Sequence, residues 1–540
     1  MSQFLNAKAD LVRDAIDGLL ACSGGALARL DGYPHIKVVI RNDWDQSRVA
    51  LISGGGSGHE PSHAGFVGPG MLTAAICGEV FASPSVDAVL AGIIAVTGKA
   101  GCLLIVKNYT GDRLNFGLAA ERARALGLNV KMIIVDDDVA LPHLPQPRGV
   151  AGTLFVHKIA GAVADKGADL NDVFNAAKKV VEKVSSMGKS LDTCTVPGSV
   201  KEDRIPEGKA ELGLGIHGEP GVEQVDFVGA NEAMHLVLER LRPHLRKDPS
   251  VVLLNNLGST TPLEMSILAN SLANTGIASH IVGPASMMTS LDMHGFSVSV
   301  LPADSVELEA LASPVPMVAW PTIQTLVKPT IVVMPKGLEL PIYNHSNDDS
   351  IRNIITHVAD VLIEAEDRLN ELDAKSGDGD TGSTLASAAR SLKLRLNHMP
   401  LGDRTKLYPA IGNELSQTMG GSSGVILAIY FNAVGDAYVN GASINQALQN
   451  GLQRVCEVGG ANVGDRTMID ALSPALEALG GGLKAAAIAA RAGADSTSKI
   501  HQAKAGRAAY VPAENLRGNN DPGAEAVALV FEALFKAEQC

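Results

Sequence analysis

The sequence predicts an α/β domain of two subdomains followed by an all-α domain. Over the first three hundred residues, short apolar runs that end in glycine alternate with helical patterns. A stretch rich in proline, glycine and asparagine, "TLVKPTIVVMPKGLELPIYNHSNDDS", then interrupts them. Beyond it the apolar residues keep helical spacing, with hardly any strand-like alternation.

In chain order, "VALISGGGSGHE" reads as a short buried strand running into a glycine turn that leads to a helix. "GCLLIVKNYTGD" is a second strand, "LNFGLAAERARALG" a helix and "NVKMIIVDDD" a third strand. That alternation points to parallel pairing through crossover helices. The polar segment 186–210 breaks the pattern and separates subdomains of about 1–185 and 211–330. After it come "ELGLGIHGEPG", a helix near 229–242, the strand "SVVLLNNLG" and the helix "TPLEMSILANSLANTG". Loops at the carboxyl ends of such strands are where ligands bind. Residues 331–349 read as a linker and 350–540 as the helical domain, opened by one long helix with Ile351, Ile354, Ile355, Val358, Leu362, Leu369 and Leu372 on a single face.

Composition narrows the function. A net charge of −13 and 4% aromatics argue against a nucleic-acid partner. Six scattered cysteines without a CxxC pair suggest neither a zinc site nor a disulfide framework, and point to a reduced, cytoplasmic setting. The most apolar run, "AVLAGIIAVTG", is too short to span a bilayer, and the first twenty residues lack the apolar core of a signal peptide, so no membrane association is expected.

Four motifs carry chemistry. "DAKSGDGDTGST" crowds Asp373, Asp378 and Asp380 among glycines, an arrangement that a hard cation such as Mg²⁺ would neutralise or that would stand as a solvated acidic loop. "MGGSSG" opens an apolar helix with Gly420, Gly421, Ser422, Ser423 and Gly424, offering free amides to a phosphate or simply close packing. "SGGGSGHEPSHAG" fits neither a P-loop nor a dinucleotide fingerprint and instead presents His59. "VKNYTGDRLNFG" ends a strand with Lys107 and Asp112, the latter by itself a natural helix N-cap. His217 in "LGLGIHGEPG" follows an apolar run and is flanked by small residues, which suggests an imidazole open from several sides.

Together these stretches resemble the dihydroxyacetone kinase family in its single-chain, ATP-dependent form. The resemblance runs through "GGGSGHEPSHAGFVGPGML", "KNYTGDRLNFG", "GIHGEPG", "LDAKSGDGDTGST", "GGSSG", "GDRTMID", "GRAAY" and "DPGA", in order along nearly the whole chain. It implies an α/β substrate domain and an all-α, helical-barrel nucleotide domain, a homodimer, and phosphorylation of a small ketose by ATP with Mg²⁺. It implies that His217 holds the ketone as a covalent hemiaminal, that His59 and Asp112 do acid–base work, and that Gly56, Ser57, Gly58 and Lys107 hold the substrate. It also implies Asp373, Asp378 and Asp380 as metal ligands. Thr381, Gly382, Ser383, Thr384, Ser422, Ser423, Gly459, Thr467, Met468, Asp521, Pro522 and Gly523 match nucleotide contacts. Neighbouring activities are FMN cyclisation, which needs only the nucleotide domain, and phosphorylation of glyceraldehyde or erythrulose. On steric grounds Gly215 and Gly218 are expected to be small so that the substrate can reach the His217 ring.

Overall fold

The computed structural model describes residues 3–32, 34–141, 146–245, 250–337 and 342–539. The linker residues 338–341 and Cys540 lie outside the described residues. The chain divides into two compact units, Met1–Ile331 and Val332–Cys540.

The first unit holds two sheets. The first is built from β1 (Leu27–Arg29), β2 (Val38–Arg41), β3 (Ala50–Ser57), β4 (Ala74–Val80), β5 (Cys102–Lys107) and β6 (Val130–Val135), in the order β1-β2-β4-β3-β5-β6. Its four central and right-hand strands are parallel, β4 with β3, β3 with β5 and β5 with β6, as the strand–helix alternation predicts. The helices of this region are α1 (Leu11–Ala21), α2 (Val86–Val96), α3 (Thr110–Ala125), α4 (Thr153–Asp165) and α5 (Leu170–Val181). β5 shows why its sequence reads as one apolar run. Leu103 and Ile105 point into one core while Cys102, Leu104 and Val106 point into the other, against α2 and α3.

The second sheet has seven strands: β7 (Ser185–Ser190), β8 (Lys209–Leu212), β9 (Glu223–Asp226), β10 (Ser250–Asn256), β11 (His280–Ala285), β12 (Gly295–Pro302) and β13 (Gln324–Thr325), ordered β13-β11-β10-β12-β7-β8-β9. Only β10 and β11 pair in parallel, joined through α7 (Pro262–Thr275); the other pairs are antiparallel. With α6 (Ala230–Leu241), α7 covers the outer face, and α8 (Ser305–Ala312) joins the main core. That core draws side chains from both sheets, and α4, buried around its whole circumference, lies within it.

Two features differ from the sequence reading. The polar segment opens inside an interior strand, β7, which is wholly buried. Its polarity is answered internally: Ser186 Oγ donates to Asp137 and meets Ser299 Oγ at 2.7 Å. The turn after β3 leads to no α-helix; only a single 3₁₀ turn, Ala64–Phe66, precedes β4.

The second unit is helical among its described residues: α9 (Asp349–Glu364), α10 (Glu366–Asp373), α11 (Thr381–Arg395), α12 (Arg404–Thr418), α13 (Gly421–Val439), α14 (Ile444–Gly459), α15 (Ile469–Ala478), α16 (Leu483–Thr497), α17 (Ala513–Leu516) and α18 (Pro522–Glu538). The expected single long helix is broken at Ala365 into α9 and α10, and α10 packs on α11 and α18 with Leu369 and Asp373 buried. Neighbour contacts run α9, α11, α12, α13, α14, α15, α16, α18 and back to α9, closing a barrel. Small residues permit the close crossings. A Cβ on Gly435 would lie 2.7 Å from Pro409 Cδ, and alanines 471, 475, 486, 490, 494, 524 and 528 fill the core. Among the described residues α13, with 19 residues and a mean hydropathy of 1.2, is the one helix long and apolar enough to cross a membrane.

Gly161 in α4 gives a direct test of this packing. A Cβ there would sit 2.4 Å from the Gly70 carbonyl oxygen and 2.6 Å from Met71 Cα, both backbone atoms. Gly161→Ala gains roughly 1 kcal/mol of helix propensity but must displace that backbone, at about 1–3 kcal/mol or more. Urea unfolding should show a net loss of stability; a variant more stable than the parent would refute the tight crossing.

Candidate active site

The carboxyl ends of β3 and β5 and the start of α3 converge in the first unit. Gly54–Ser57 close β3, Lys107 is the last residue of β5, and Asp112 is the third residue of α3. Asp112 does not cap its helix; Tyr109 occupies that position, and Asp112 is buried with Oδ1 unpartnered. The missing side chain of Gly55 matters here. A Cβ on it would lie 2.9 Å from Lys107 Nζ and 3.3 Å from Asp112 Oδ2. Lys107 is itself wholly buried, and its Nζ lies 2.7 Å from His63 Nε2. Gly58 sits at φ +99°, a conformation that favours glycine, and donates its amide to Glu60.

The next loop carries His59, tied to the second sheet's side of the unit. His59 Nδ1 lies 2.8 Å from the Thr289 carbonyl oxygen, which fixes Nδ1 as the donor and leaves Nε2 without a protein partner. Thr289 and Leu291 return their amides to the carbonyls of His59 and Gly58. Burial, then the charge of Lys107, hold His59 well below the usual histidine range, so the ring is neutral.

His217 lies in the loop after β8, its side chain 18% exposed. It is not open on several sides. The rings of Tyr109, His59 and Phe81 stand around it at centroid distances of 4.4, 4.8 and 5.3 Å. Glu219 accepts its backbone N–H at 2.8 Å and sits 3.3 Å from Nδ1. Burial pushes the Glu219 carboxyl up, but the His217 hydrogen bond and charge outweigh it and hold it near about 2. With Nδ1 committed, Nε2 is the nitrogen left for chemistry. The flanking glycines answer to the protein rather than to a ligand. A Cβ on Gly215 would strike Glu219 Oε2 at 2.3 Å, and one on Gly218 would lie 2.9 Å from Cys194 Sγ.

In the second unit, oxygens of Asp373, Asp378 and Asp380 lie within 4.8 Å of one another. Asp373 is buried, and its Oδ2 accepts the amides of Gly379, Asp380 and Thr381 at 3.0–3.2 Å, so this carboxylate shapes the loop and can offer Oδ1 outward. Asp378 and Asp380 are more exposed. Three carboxylates around one point fit a hard divalent cation. α11 begins at once with Thr381, Gly382, Ser383 and Thr384. Gly382 is a packing residue, since its Cβ would meet the Glu366 carbonyl oxygen at 2.0 Å. Ser383 is bonded through amide and hydroxyl to Asn370.

The other predicted contacts fall into two groups. Met468 and Gly523 are adjacent, a Cβ on the glycine lying 3.4 Å from Met468 Cβ. Thr467 donates its amide to Asp470, and Asp521 caps α18 at Pro522 by accepting from Ala524. Arg466 and Lys375 both bond Asn519, which links this group to the aspartate loop. Ser422 and Ser423 stand exposed at the uncapped start of α13, and Gly459 is exposed at the end of α14. Sequence reasoning missed Glu219, Tyr109, Phe81, His63 and Thr289. It also missed Arg507, which pairs with Asp378. Glu219 and Arg507 stood inside motifs already singled out; Thr289 gave no local signal.

Comparison with known proteins places this geometry. Residues 18–319 match the Dak1 domain and 375–536 the DAK2 domain. A dihydroxyacetone kinase from Citrobacter freundii is 47% identical over 100% of both chains. Its crystal structure in complex with AMP-PNP and Mg²⁺ superposes with a TM-score of 0.69, at 45% identity and 100% coverage of each chain. The human triokinase/FMN cyclase is 37% identical over 99% of both. This is a two-domain Dak1–DAK2 protein. The chain belongs to the single-chain dihydroxyacetone kinase family.

Two measurements probe these sites. Asp373→Ala leaves three amides without their acceptor, and unfolding should show a loss of about 1–3 kcal/mol with faster amide exchange at residues 379–381. Glu219, held near about 2 against a usual 4.5, stabilises the fold above pH 4.5, and that contribution is lost as pH falls towards 2. The stability difference between the parent and Glu219→Gln should therefore shrink over that window; a constant difference would contradict the His217–Glu219 contact.

Proposed function

We propose that the chain transfers the γ-phosphoryl group of ATP to dihydroxyacetone, giving dihydroxyacetone phosphate, with the ketone held on His217. The observation that carries this reading is the histidine whose Nδ1 is held by Glu219 while its ring stands edge-on to those of His59 and Tyr109. Addition of Nε2 to the ketone carbon sends the carbonyl electron pair to oxygen. One proton moves from Nδ1 to that oxygen, so the hemiaminal is an isomer of its parts. The Nδ1 proton passes to Glu219 and on to water, and water returns one proton to the oxygen through Nε2 of His59, which, being bare, relays a proton and does not supply one. Gly56, Ser57, Gly58 and Lys107 hold the hydroxyls, and Asp112 takes the proton from the hydroxyl that is phosphorylated. A polyol such as glycerol has no carbonyl to capture, so the bond also selects the substrate.

Asp373, Asp378 and Asp380 would hold Mg²⁺, which neutralises phosphate charge when bound. The amides at the starts of α11 and α13, with Ser422 and Ser423, would receive phosphate oxygens. Thr381, Gly382, Ser383, Thr384, Gly459, Thr467, Met468, Asp521, Pro522 and Gly523 would complete the nucleotide site. We assign 1–330 to substrate, 331–349 to a linker and 350–540 to Mg–ATP, in a cytoplasmic homodimer. Glyceraldehyde and erythrulose present the same carbonyl-and-hydroxyl pair and fit the same chemistry. FMN cyclisation is a second reading, supported by the name of the human relative.

An ATP-dependent assay across short ketoses and aldoses tests the reading. His217→Ala should lower kinase turnover at least ~100-fold while sparing any FAD cleavage, and Asp380→Asn should raise the Mg²⁺ requirement roughly tenfold or more. Full ketone phosphorylation by His217→Ala would overturn covalent capture.

A further inference from the structure

Among the described residues, the hydrogen-bond partner of the Lys107 ammonium is an imidazole rather than a carboxylate. An ammonium has only donors, so His63 Nε2 must be bare and the ring proton must sit on Nδ1. That Nδ1 is buried and unpartnered, and the ring packs edge-on against His157 at 5.2 Å, whose two nitrogens are unpartnered as well. Across the gap left by Gly55, the carboxylate of Asp112 faces the same ammonium without closing a contact pair. We propose that His63 is a positioning residue of the phosphoryl-acceptor site: it tethers the Lys107 ammonium and keeps it from collapsing onto Asp112.

The physical alternative shows why a tether is needed. A buried ammonium and a buried carboxylate attract strongly at low dielectric, and a direct pair would leave Asp112 bonded to lysine rather than open to a substrate hydroxyl. Lys107 lies at a strand end and Asp112 in the first turn of the next helix, and a Cβ on Gly55 would lie close to both, 2.9 Å from Nζ and 3.3 Å from Oδ2. The groups around His63 are Lys107 from β5, His157 from α4 and His59 from its own loop; those around Lys107 are His63, Asp112 from α3 and Asp137 after β6. Burial and the Lys107 charge keep His63 neutral, well below the usual histidine range, as an acceptor must be.

The consequence for rate rests on the kinase reading above. In the full-length chain, His63→Leu should lower kcat ~10–100-fold with KM for dihydroxyacetone within about 3-fold. His63→Gln restores an acceptor and should recover most of the rate. His157→Phe, which removes no tether, should stay within about 3-fold of the parent. Independently of activity, ¹⁵N spectra of the parent should show His63 as the Nδ1–H tautomer, and a crystal structure of His63→Leu should show Lys107 Nζ on Asp112. Parent-like kcat in His63→Leu, a His63→Gln as impaired as His63→Leu, or a proton on His63 Nε2 would each overturn the proposal. If His63→Leu does not fold, His63→Gln and the spectra decide. If the parent phosphorylates no ketone, the kinase reading fails while the spectra and the Lys107 position still judge this one.

Discussion

A lysine ammonium with no exposed surface, at the end of β5, sets the terms for the first unit. Burying a charge costs several kcal/mol unless the protein solvates it. Here the solvation comes from separate places: His63 in the loop after β3, Asp112 in α3 and Asp137 beyond β6. Those segments reach Lys107 only if β3, β5 and β6 lie side by side and parallel, with α3 as the crossover. Gly55 must also lack a side chain. The central strand order of the first sheet and the polarity of its carboxyl edge are thus one constraint seen twice.

The same edge is stitched to the second sheet's side of the unit. Thr289 holds His59 and Ser62 reaches the Met287 carbonyl, so the loop after β3 is shaped by residues more than two hundred positions away. Burial decides the chemistry there, since neutral imidazoles and an unpartnered carboxylate oxygen persist only where water is scarce. The aspartate loop of the second unit follows the opposite rule. One buried carboxylate organises the backbone, and two more exposed ones stand with their oxygens within 4.8 Å of it and of each other.

Much of the architecture was legible because it rests on local pattern. The strands at 50–57, 102–107 and 250–256 are apolar runs buried on both faces, and the helical unit keeps its period throughout. β7 was not legible. "SSMGKS" has a strand's burial without a strand's composition, because Asp137 and Ser299, far away in sequence, meet the hydroxyl of Ser186. The break at Ala365 was invisible for a related reason: alanine favours helix, and the bend comes from the packing of α10. At the site, residue types and loops could be read, and roles came through resemblance. What could not be read was enclosure. His217 looked open because its sequence neighbours are small, but its spatial neighbours are Tyr109, Phe81 and His59, from three other segments.

Three histidines show how partners, rather than positions, assign function. The Thr289 carbonyl, an acceptor, puts the proton of His59 on Nδ1. The Glu219 carboxylate does the same for His217. The Lys107 ammonium is a donor, yet it reaches His63 from the other nitrogen and so produces the same tautomer. In that tautomer each ring has a bare Nε2. On His59 that lone pair has no protein partner; on His63 it is already occupied. Identical tautomers thus leave the Nε2 of His59 unpartnered and that of His63 committed to a neighbour, a distinction that neither sequence spacing nor burial alone contains.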